Sequence, residues 1–185
     1  MNLFTKQPLP TEEAPIKDAA GRALLTMRVR DDTDFLSPFS QSNTPVIASD
    51  VADFLNSRIE TVSPDSGIHL EIHSDCITEE EALLYHKGIK AYYTEQYHKT
   101  RRELRRNNRL ALLLLILGVI TLSVMIFVEA LFENVIWTEV IDIAAWVFLW
   151  EAVYLYFLEN RSLRIRCRQS LSLTQAEITF LPLDK

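Results

Sequence analysis

Residues 110–128 read LALLLLILGVITLSVMIFV, an unbroken run without a single Asp, Glu, Lys or Arg. As an α-helix with a rise of about 1.5 Å per residue, this run would be about 28 Å long, which nearly matches the roughly 30 Å hydrocarbon layer of a bilayer. The run therefore predicts a membrane-spanning helix.

A second apolar segment follows after the short stretch EALFEN, residues 129–134. It carries Trp137 near one end and Tyr154 and Tyr156 near the other, where aromatic side chains meet the two membrane interfaces. We place the two spans at residues 110–131 and 135–158. Because so short a connection makes the second helix return at once, the sequence predicts an antiparallel transmembrane hairpin.

Basic residues flank the hairpin on both sides, whereas residues 129–134 contain no Lys or Arg. Such an asymmetry places the flanks on the cytoplasmic side. We therefore expect a multi-pass protein of the bacterial plasma membrane with both termini in the cytoplasm. The flanking residues are expected to contact the lipid bilayer at its interface. They are Lys99, Arg101, Arg102, Arg105, Arg106 and Arg109 before the hairpin, and Arg161, Arg164, Arg166 and Arg168 after it.

The residues before the hairpin alternate between strand and helix patterns. ALLTMRVR (23–30) and GIHLEIH (67–73) alternate as strands, and SDVADFLNSRIETV (49–62) has helical spacing behind Ser49 as its N-cap. Thr78 and Glu81 form a capping box, and no helix breaker follows before Leu110. One long helix is therefore expected to start near residue 78 and to continue into the first span.

These patterns together predict an α+β membrane protein: a two-helix transmembrane hairpin, a small cytosolic α/β domain, and a long helix continuing into the first span. The expected boundaries are a flexible leader over 1–22, the α/β domain over 23–77, the juxtamembrane helix over 78–109 and the hairpin over 110–158. Residues 159–185 form a cytosolic segment, in which LSLTQAEITFLPL (171–183) alternates as a strand that joins the sheet.

Composition argues against several classes of function. A net charge of −6 disfavours nucleic acid as a partner. Cys76 and Cys167 lie far apart, which indicates reduced thiols rather than a disulfide framework. No nucleophile elbow, phosphate loop or zinc-protease helix is present in the sequence, so we expect neither an enzyme nor a bound cofactor or metal.

One strand carries residue types that bind metals. His69, Glu71 and His73 alternate with Ile68, Leu70 and Ile72, which sets the three polar side chains on one face. A half-buried sheet must also turn its polar residues toward solvent. Because no second ligand pair with zinc-like spacing exists elsewhere, we favour solvent exposure as the explanation.

Three carboxylates interrupt the second span, and they are our candidates for an ion-binding site or an oligomer contact. Glu139 and Asp142 lie in its first turns, where exposed N–H groups and water favour negative charge. Glu151 lies eight residues from Glu159, on the order of 12 Å into the apolar layer, where an acid costs roughly 2.5–3.5 kcal/mol.

Glu151 should therefore face protein, take up a proton or meet a cavity. The first span offers only Thr121 and Ser123 as polar partners. A lone hairpin would shield the carboxylate poorly, so we expect self-association, with Gly118 permitting the close approach of helices.

Several phrases also resemble a group of small two-span membrane proteins of Gram-positive gut bacteria. They are DDTDFLSPFSQSNTPVIASDVADFL (31–55), IHSDCITEEE (72–81) and AAWVFLWEAV (144–153). The resemblance implies the hairpin architecture and a bacterial setting. It implies no activity and no site residues.

Two functions remain open. The first is a homo-oligomeric membrane anchor, scaffold or sensor whose cytosolic domain binds a protein partner. The alternative is a homo-oligomeric cation channel or ion-binding transport protein that uses the carboxylates of the second span. WTEVID (137–142) is similar in layout to the calcium uniporter, although here Glu precedes Asp and no proline follows. The apolar residues after Glu151 favour the anchor.

Overall fold

The computed structural model describes residues 16–41, 43–63, 67–131 and 135–183. The chain divides into two units, one formed by residues 1–88 with 175–185 and the other by residues 89–174. Each unit is described separately below.

The first unit is built on a three-stranded parallel sheet in the order β1 (Ala23–Arg28), β2 (Ile68–His73) and β3 (Glu177–Leu181). In-register pairing places Leu25 beside Leu70 and Leu70 beside Ile178, so that the apolar residues share one face. Leu70 is fully buried. The predicted α+β organisation, with a C-terminal strand that joins the sheet, is therefore present.

Helix α1 (Ser49–Glu60) connects β1 to β2. It buries Val51, Leu55 and Ile59, the positions at which the apolar residues recur with helical spacing. The expected N-cap is shifted by one residue, since Ala48 is the cap and makes no side-chain hydrogen bond. A parallel β–α–β unit results, with its apolar face turned inward.

Within the expected leader over 1–22, the described residues form a hydrogen-bonded turn. The Asp18 carboxylate accepts hydrogen bonds of 2.9 Å from the N–H groups of both Ala20 and Arg22. Gly21 closes the turn with φ +78°, a conformation that suits glycine. An aspartate side chain that accepts hydrogen bonds from nearby backbone N–H groups stabilises a turn through contacts close in sequence. Residues 1–15 of the expected leader lie outside the described residues.

Helix α2 (Glu79–Leu131) is a single helix of 53 residues, as predicted. The capping box is formed: the N–H of Thr78 donates to Glu81 Oε2 at 2.9 Å, and the N–H of Glu81 donates to Thr78 Oγ1 at 3.4 Å. The backbone N–H and the hydroxyl of Thr78, which both donate to the Glu81 carboxylate, lower the pKa of that carboxyl.

The first turns of α2 belong to the sheet-bearing unit. Tyr85 stacks on Phe35 with 4.3 Å between ring centroids, and its hydroxyl donates to Asp32 Oδ2 at 2.9 Å. Burial, together with the Asp32 carboxylate, raises the pKa of the Tyr85 hydroxyl. Helix α2 is thus tied to the loop after β1.

The second unit contains the return path of the chain. Helix α3 (Val135–Tyr154) leads into a π-helical turn (Leu155–Glu159), and helix α4 (Asn160–Thr174) follows without a break. Among the described residues, Glu79–Ala130 and Thr138–Thr174 are each helical, long enough and apolar enough to cross a membrane.

The strand predicted over 171–183 is wrong in its first part, because residues 171–174 are helical and β3 covers only Glu177–Leu181. Alternating Leu and Ser residues imitate a strand there. The hydroxyl of Thr174 instead donates to the carbonyl of Ser170 at 2.9 Å, so the polar groups are satisfied inside the helix.

Small residues bring α2 and α3 together. A Cβ atom at Gly118 would lie 2.8 Å from both Cγ and Cδ2 of Leu149, and Ala145 and Ala152 are buried on the same stretch of α3. We expected Gly118 to admit a second copy, but Leu149 of the same hairpin fills that place. Close approach of small residues is how helices pack in membranes.

The π-helical turn decides which polar residue enters the hairpin. In a regular helix Glu159, seven residues after Ala152, would return to the same face. The wider turn inserts about one extra residue, so Asn160 is fully buried while Glu159 is exposed. Asn160 Nδ2 donates to Asn108 Oδ1 on α2 at 2.6 Å. The turn thereby replaces a buried charge with a neutral amide.

We expect Gly118→Ala to destabilise the hairpin by about 1–3 kcal/mol, because the added methyl group overpacks the contact with Leu149. Thermal unfolding in mild detergent, followed by far-ultraviolet circular dichroism, measures the loss. Leu149→Ala supplies the control, since the double variant should lose less than the sum of the single variants. An unchanged unfolding midpoint for Gly118→Ala would contradict this packing.

Candidate functional site

The three carboxylates predicted as a site do not converge. Glu139 and Glu151 are exposed, whereas Asp142 is half-buried at the spacing of Ala145 and Leu149, on the side of α3 that packs on α2. Nine residues, or about 13 Å of helix, separate Asp142 from Glu151. Glu151 therefore has to be explained by its own surroundings.

Glu151 borders a shallow groove on the outer side of α3. The groove has a volume of about 410 Å³, and its lining is otherwise apolar: Ile143, Trp146, Val147 and Trp150. These residues recur at helical spacing and form one continuous stripe. Trp146 and Trp150 are 63% and 66% exposed, which is unusual for the largest apolar side chains.

The Glu151 carboxylate has no partner in the part of the chain that the structure describes, since no hydrogen bond or ion pair reaches it. The hydroxyls of the opposite helix are already used. Thr121 donates to the carbonyl of Leu117 at 2.8 Å, and Ser123 donates to that of Val119 at 2.9 Å. The hairpin thus presents an acid, two tryptophans and two aliphatic side chains on one open face.

The predicted interface arginines are exposed, on both flanks of the hairpin. They are Arg101, Arg102, Arg105, Arg106 and Arg109 on α2, with Arg161, Arg164 and Arg166 on α4. Two of them rest on tyrosine rings: the Arg101 guanidinium lies 5.7 Å from the centroid of Tyr97, and that of Arg164 lies 5.9 Å from Tyr156. Such contacts hold a cation beside an aromatic ring.

The polar face of β2 is less exposed than we expected from the sequence. The side chains of His69, Glu71 and His73 are only 16%, 22% and 17% exposed. His69 Nε2 lies 2.9 Å from Thr179 Oγ1 on β3, and His69 Nδ1 lies 3.4 Å from Asp18 Oδ2. Side chains on a central strand are partly covered by those of the two neighbouring strands. The alternation within one strand does not reveal this cover.

Arg22 bridges this face from the turn before β1 to the start of β3. Its guanidinium bonds both Asp18 and Glu177, and these two carboxylates raise the pKa of Arg22. The side chain crosses directly over Gly67, where a Cβ would lie 3.0 Å from Arg22 Cγ. The cluster therefore links the outer strands over the middle one.

Neither face offers a recognisable metal centre. Over the residues that the structure describes, His, Cys, Asp and Glu side chains do not gather in groups of three or more that could hold an ion. The His69 strand face thus acts in the structure as a set of contacts between strands.

No protein-family model matches this chain, and neither a curated protein nor a solved structure matches it. Its function has to be argued from the groove, the arginines and the sheet.

Asp18→Asn should weaken the link that Arg22 makes between the outer strands β1 and β3 at neutral pH. Burial alone would raise the pKa of the Asp18 carboxyl, but hydrogen bonds from Arg22 and Ala20 outweigh it and hold that pKa below its ordinary value of 3.8. The contribution of the ionised carboxylate is thus present at neutral pH and lost as the pH falls below about 4. Amide hydrogen exchange of residues 17–28 and 177–181, corrected for intrinsic rates, measures this change.

The native protein and Asp18→Asn should converge as the pH falls from 5 to 3. Asp53→Asn, an exposed carboxylate on α1, should leave exchange in both segments unchanged. Equal protection of native protein and Asp18→Asn at pH 7 would show that the cluster does not hold the strands.

Proposed function

We propose that this chain is a two-pass protein of the bacterial plasma membrane that self-associates through α3 and acts as an anchor or scaffold. Both termini and the sheet-bearing unit lie on the cytoplasmic side, available to a protein partner. The observation that carries the proposal is Glu151, an acid with no partner among the described residues, at the end of an exposed apolar stripe.

The free-energy cost of an unpaired acidic side chain in lipid favours self-association. An acidic side chain near the membrane centre costs roughly 2.5–3.5 kcal/mol when it faces lipid. In a symmetric pair the same face of each copy meets the other, so two Glu151 side chains can share a proton and hydrogen-bond each other. Pairing would also cover the exposed Trp146 and Trp150 side chains beside them.

The first span suits lipid instead. Its exposed side chains near the level of Gly118 are aliphatic, including Ile116, Val119 and Ile120, and its hydroxyls are bonded to its own backbone. The hydroxyls of Thr121 and Ser123 therefore do not need a hydrogen-bond partner from another protein chain. We therefore assign the contact between copies to α3 alone.

The alternative, a cation channel, finds less support. A conduit needs polar groups along its whole length, yet Asp142 and Glu151 are nine residues apart, on opposite sides of α3, and do not form one lining. The residues after Glu151 are mostly apolar or aromatic. We therefore favour the anchor.

A cysteine at Val147 should form disulfide-linked dimers in membranes, once Cys76 and Cys167 have been replaced by serine. Val147 is 59% exposed on the proposed contact face. The matched control is Ile120→Cys, 53% exposed on α2 and at the same level, because both positions lie two residues from the Gly118–Leu149 contact. Non-reducing electrophoresis after mild oxidation measures the yield, and equal yields at both positions would contradict the proposal.

Substitution of Glu151 should change that yield according to hydrogen bonding. Glu151→Gln keeps a donor and an acceptor and should preserve crosslinking through the cysteine at 147. Glu151→Leu should reduce it several-fold, since a hydrogen bond between helices in a membrane is worth about 1 kcal/mol. If Glu151→Leu leaves the yield unchanged, the carboxylate takes no part in assembly.

The orientation predicts which thiols a membrane-impermeant maleimide reaches in intact cells. A cysteine introduced at Asn134, between the spans, should be labelled. Native Cys76, although exposed in the structure, should react only after the membrane is permeabilised. Cys167 should react more slowly than Cys76 even then, because burial raises the pKa of its thiol. Labelling of Cys76 from outside would reverse the orientation.

A further inference from the structure

We propose that the groove bordered by Glu151 binds a lipophilic organic cation, such as a quaternary ammonium or phosphonium compound with apolar substituents. The inference adds a ligand class to the face used in the proposed function, and it rests on that function for the membrane location of Glu151. It concerns one groove, lined by Ile143, Trp146, Val147, Trp150 and Glu151.

Charge determines the sign of the ligand. Glu151 is the only ionisable side chain in the lining, and it has no cationic partner among the described residues. An anion would be repelled at this site. A neutral apolar molecule would fill the groove but would leave the carboxylate without a partner.

The lining also decides between inorganic and organic cations. Ca²⁺ takes six to eight oxygen ligands and Mg²⁺ takes six, whereas this groove offers the two oxygens of one carboxylate. A metal ion would have to keep most of its water shell among apolar side chains. A cation whose charge is spread over carbon substituents has little hydration to lose and is attracted to apolar surroundings.

The two tryptophans supply a second contact for such a cation. Trp146 and Trp150 are one helical turn apart, both mostly exposed, and both adjoin the same groove as Glu151. The face of an indole ring attracts a cation, by about 2 kcal/mol or more when water is excluded. Ile143 and Val147 give an apolar wall for the substituents.

The openness of the groove fits a site completed by a second copy. In one chain the groove is shallow, so a ligand would be covered on one side only. Under the proposed function the α3 face of another copy would cover the other side. The occupied site would then lie within the membrane, where a lipophilic cation already concentrates.

The test uses the full-length protein in lipid nanodiscs and tetraphenylphosphonium as the probe. Binding is measured by equilibrium dialysis and by the change in tryptophan fluorescence. Tetraphenylborate, which has nearly the same shape and the opposite charge, is the control ligand. After subtraction of the uptake by empty nanodiscs of the same lipid, we expect saturable binding of the phosphonium ion and at least about tenfold weaker binding of the borate, since the Glu151 carboxylate attracts the cation and repels the anion.

Variants then assign the site. Glu151→Gln should weaken phosphonium binding at least about tenfold, whereas Glu151→Asp should retain most of it because the charge remains. Trp150→Leu should weaken it more than Trp150→Phe, because a phenyl ring keeps part of the attraction. Glu139→Gln, which removes an exposed carboxylate of the same helix outside the groove, should have no effect.

Crosslinking through the cysteine at 147 is measured on the same samples, so that loss of assembly is distinguished from loss of binding. Equal binding of the two ions, or unchanged binding by Glu151→Gln, would overturn the inference and leave assembly as the role of the groove. Normal phosphonium binding by a protein that does not crosslink would overturn the proposed function and leave the ligand site intact.

Discussion

Parallel pairing of β2 with β3 is the constraint on which the rest of the chain depends. Two parallel neighbours require a connection that leaves one end of the sheet and re-enters at the other. Here that connection is residues 74–176, the whole of α2, α3, the π-helical turn and α4. An outward helix and a returning helix meet this requirement, and in hydrocarbon a helix is also the form that satisfies its own backbone. Sheet and hairpin are therefore parts of a single crossover.

The structure accommodates polar side chains of the hairpin in three ways: by hydrogen bonds within a helix, by a hydrogen bond between helices and by exposure on the outer side. Thr121 and Ser123 bond the carbonyls of their own helix, and Asn160 is turned inward to meet Asn108 while Glu159 is turned outward. Each of these hydrogen bonds lowers the free-energy cost of a polar group in an apolar setting, although Asn160 Oδ1 is buried without a partner among the described residues. Glu151 receives no such help from the described chain. The fold provides hydrogen bonds for Thr121, Ser123 and Asn160 but, among the described residues, none for Glu151. This difference is the physical reason to look for function at Glu151.

Long and strongly patterned features could be predicted from the sequence. The uncharged run at 110–128, the capping box at Thr78 and the absence of a breaker between them were enough to predict α2, and alternation was enough for β1 and β2. Features set by one residue or by neighbours in space could not be predicted. The π-helical turn shifts the buried face by one position, Leu149 fills the place at Gly118, and strands on both sides cover His69. Candidate residues were found, but the half-burial of Asp142 beside exposed Glu139 and Glu151 required the structure.

The position of β3 in the chain has a consequence for biosynthesis. At about 5–20 residues per second, the 103 residues between β2 and β3 take roughly 5–20 seconds to make, and during that time β2 lacks its second neighbour. Under the proposed topology, a returning helix that failed to cross would leave β3 on the wrong side of the membrane, and the edge of β2 would stay open. An open strand edge can pair with another chain and lead to aggregation. Under the proposed topology, completion of the sheet would therefore depend on correct insertion of the hairpin.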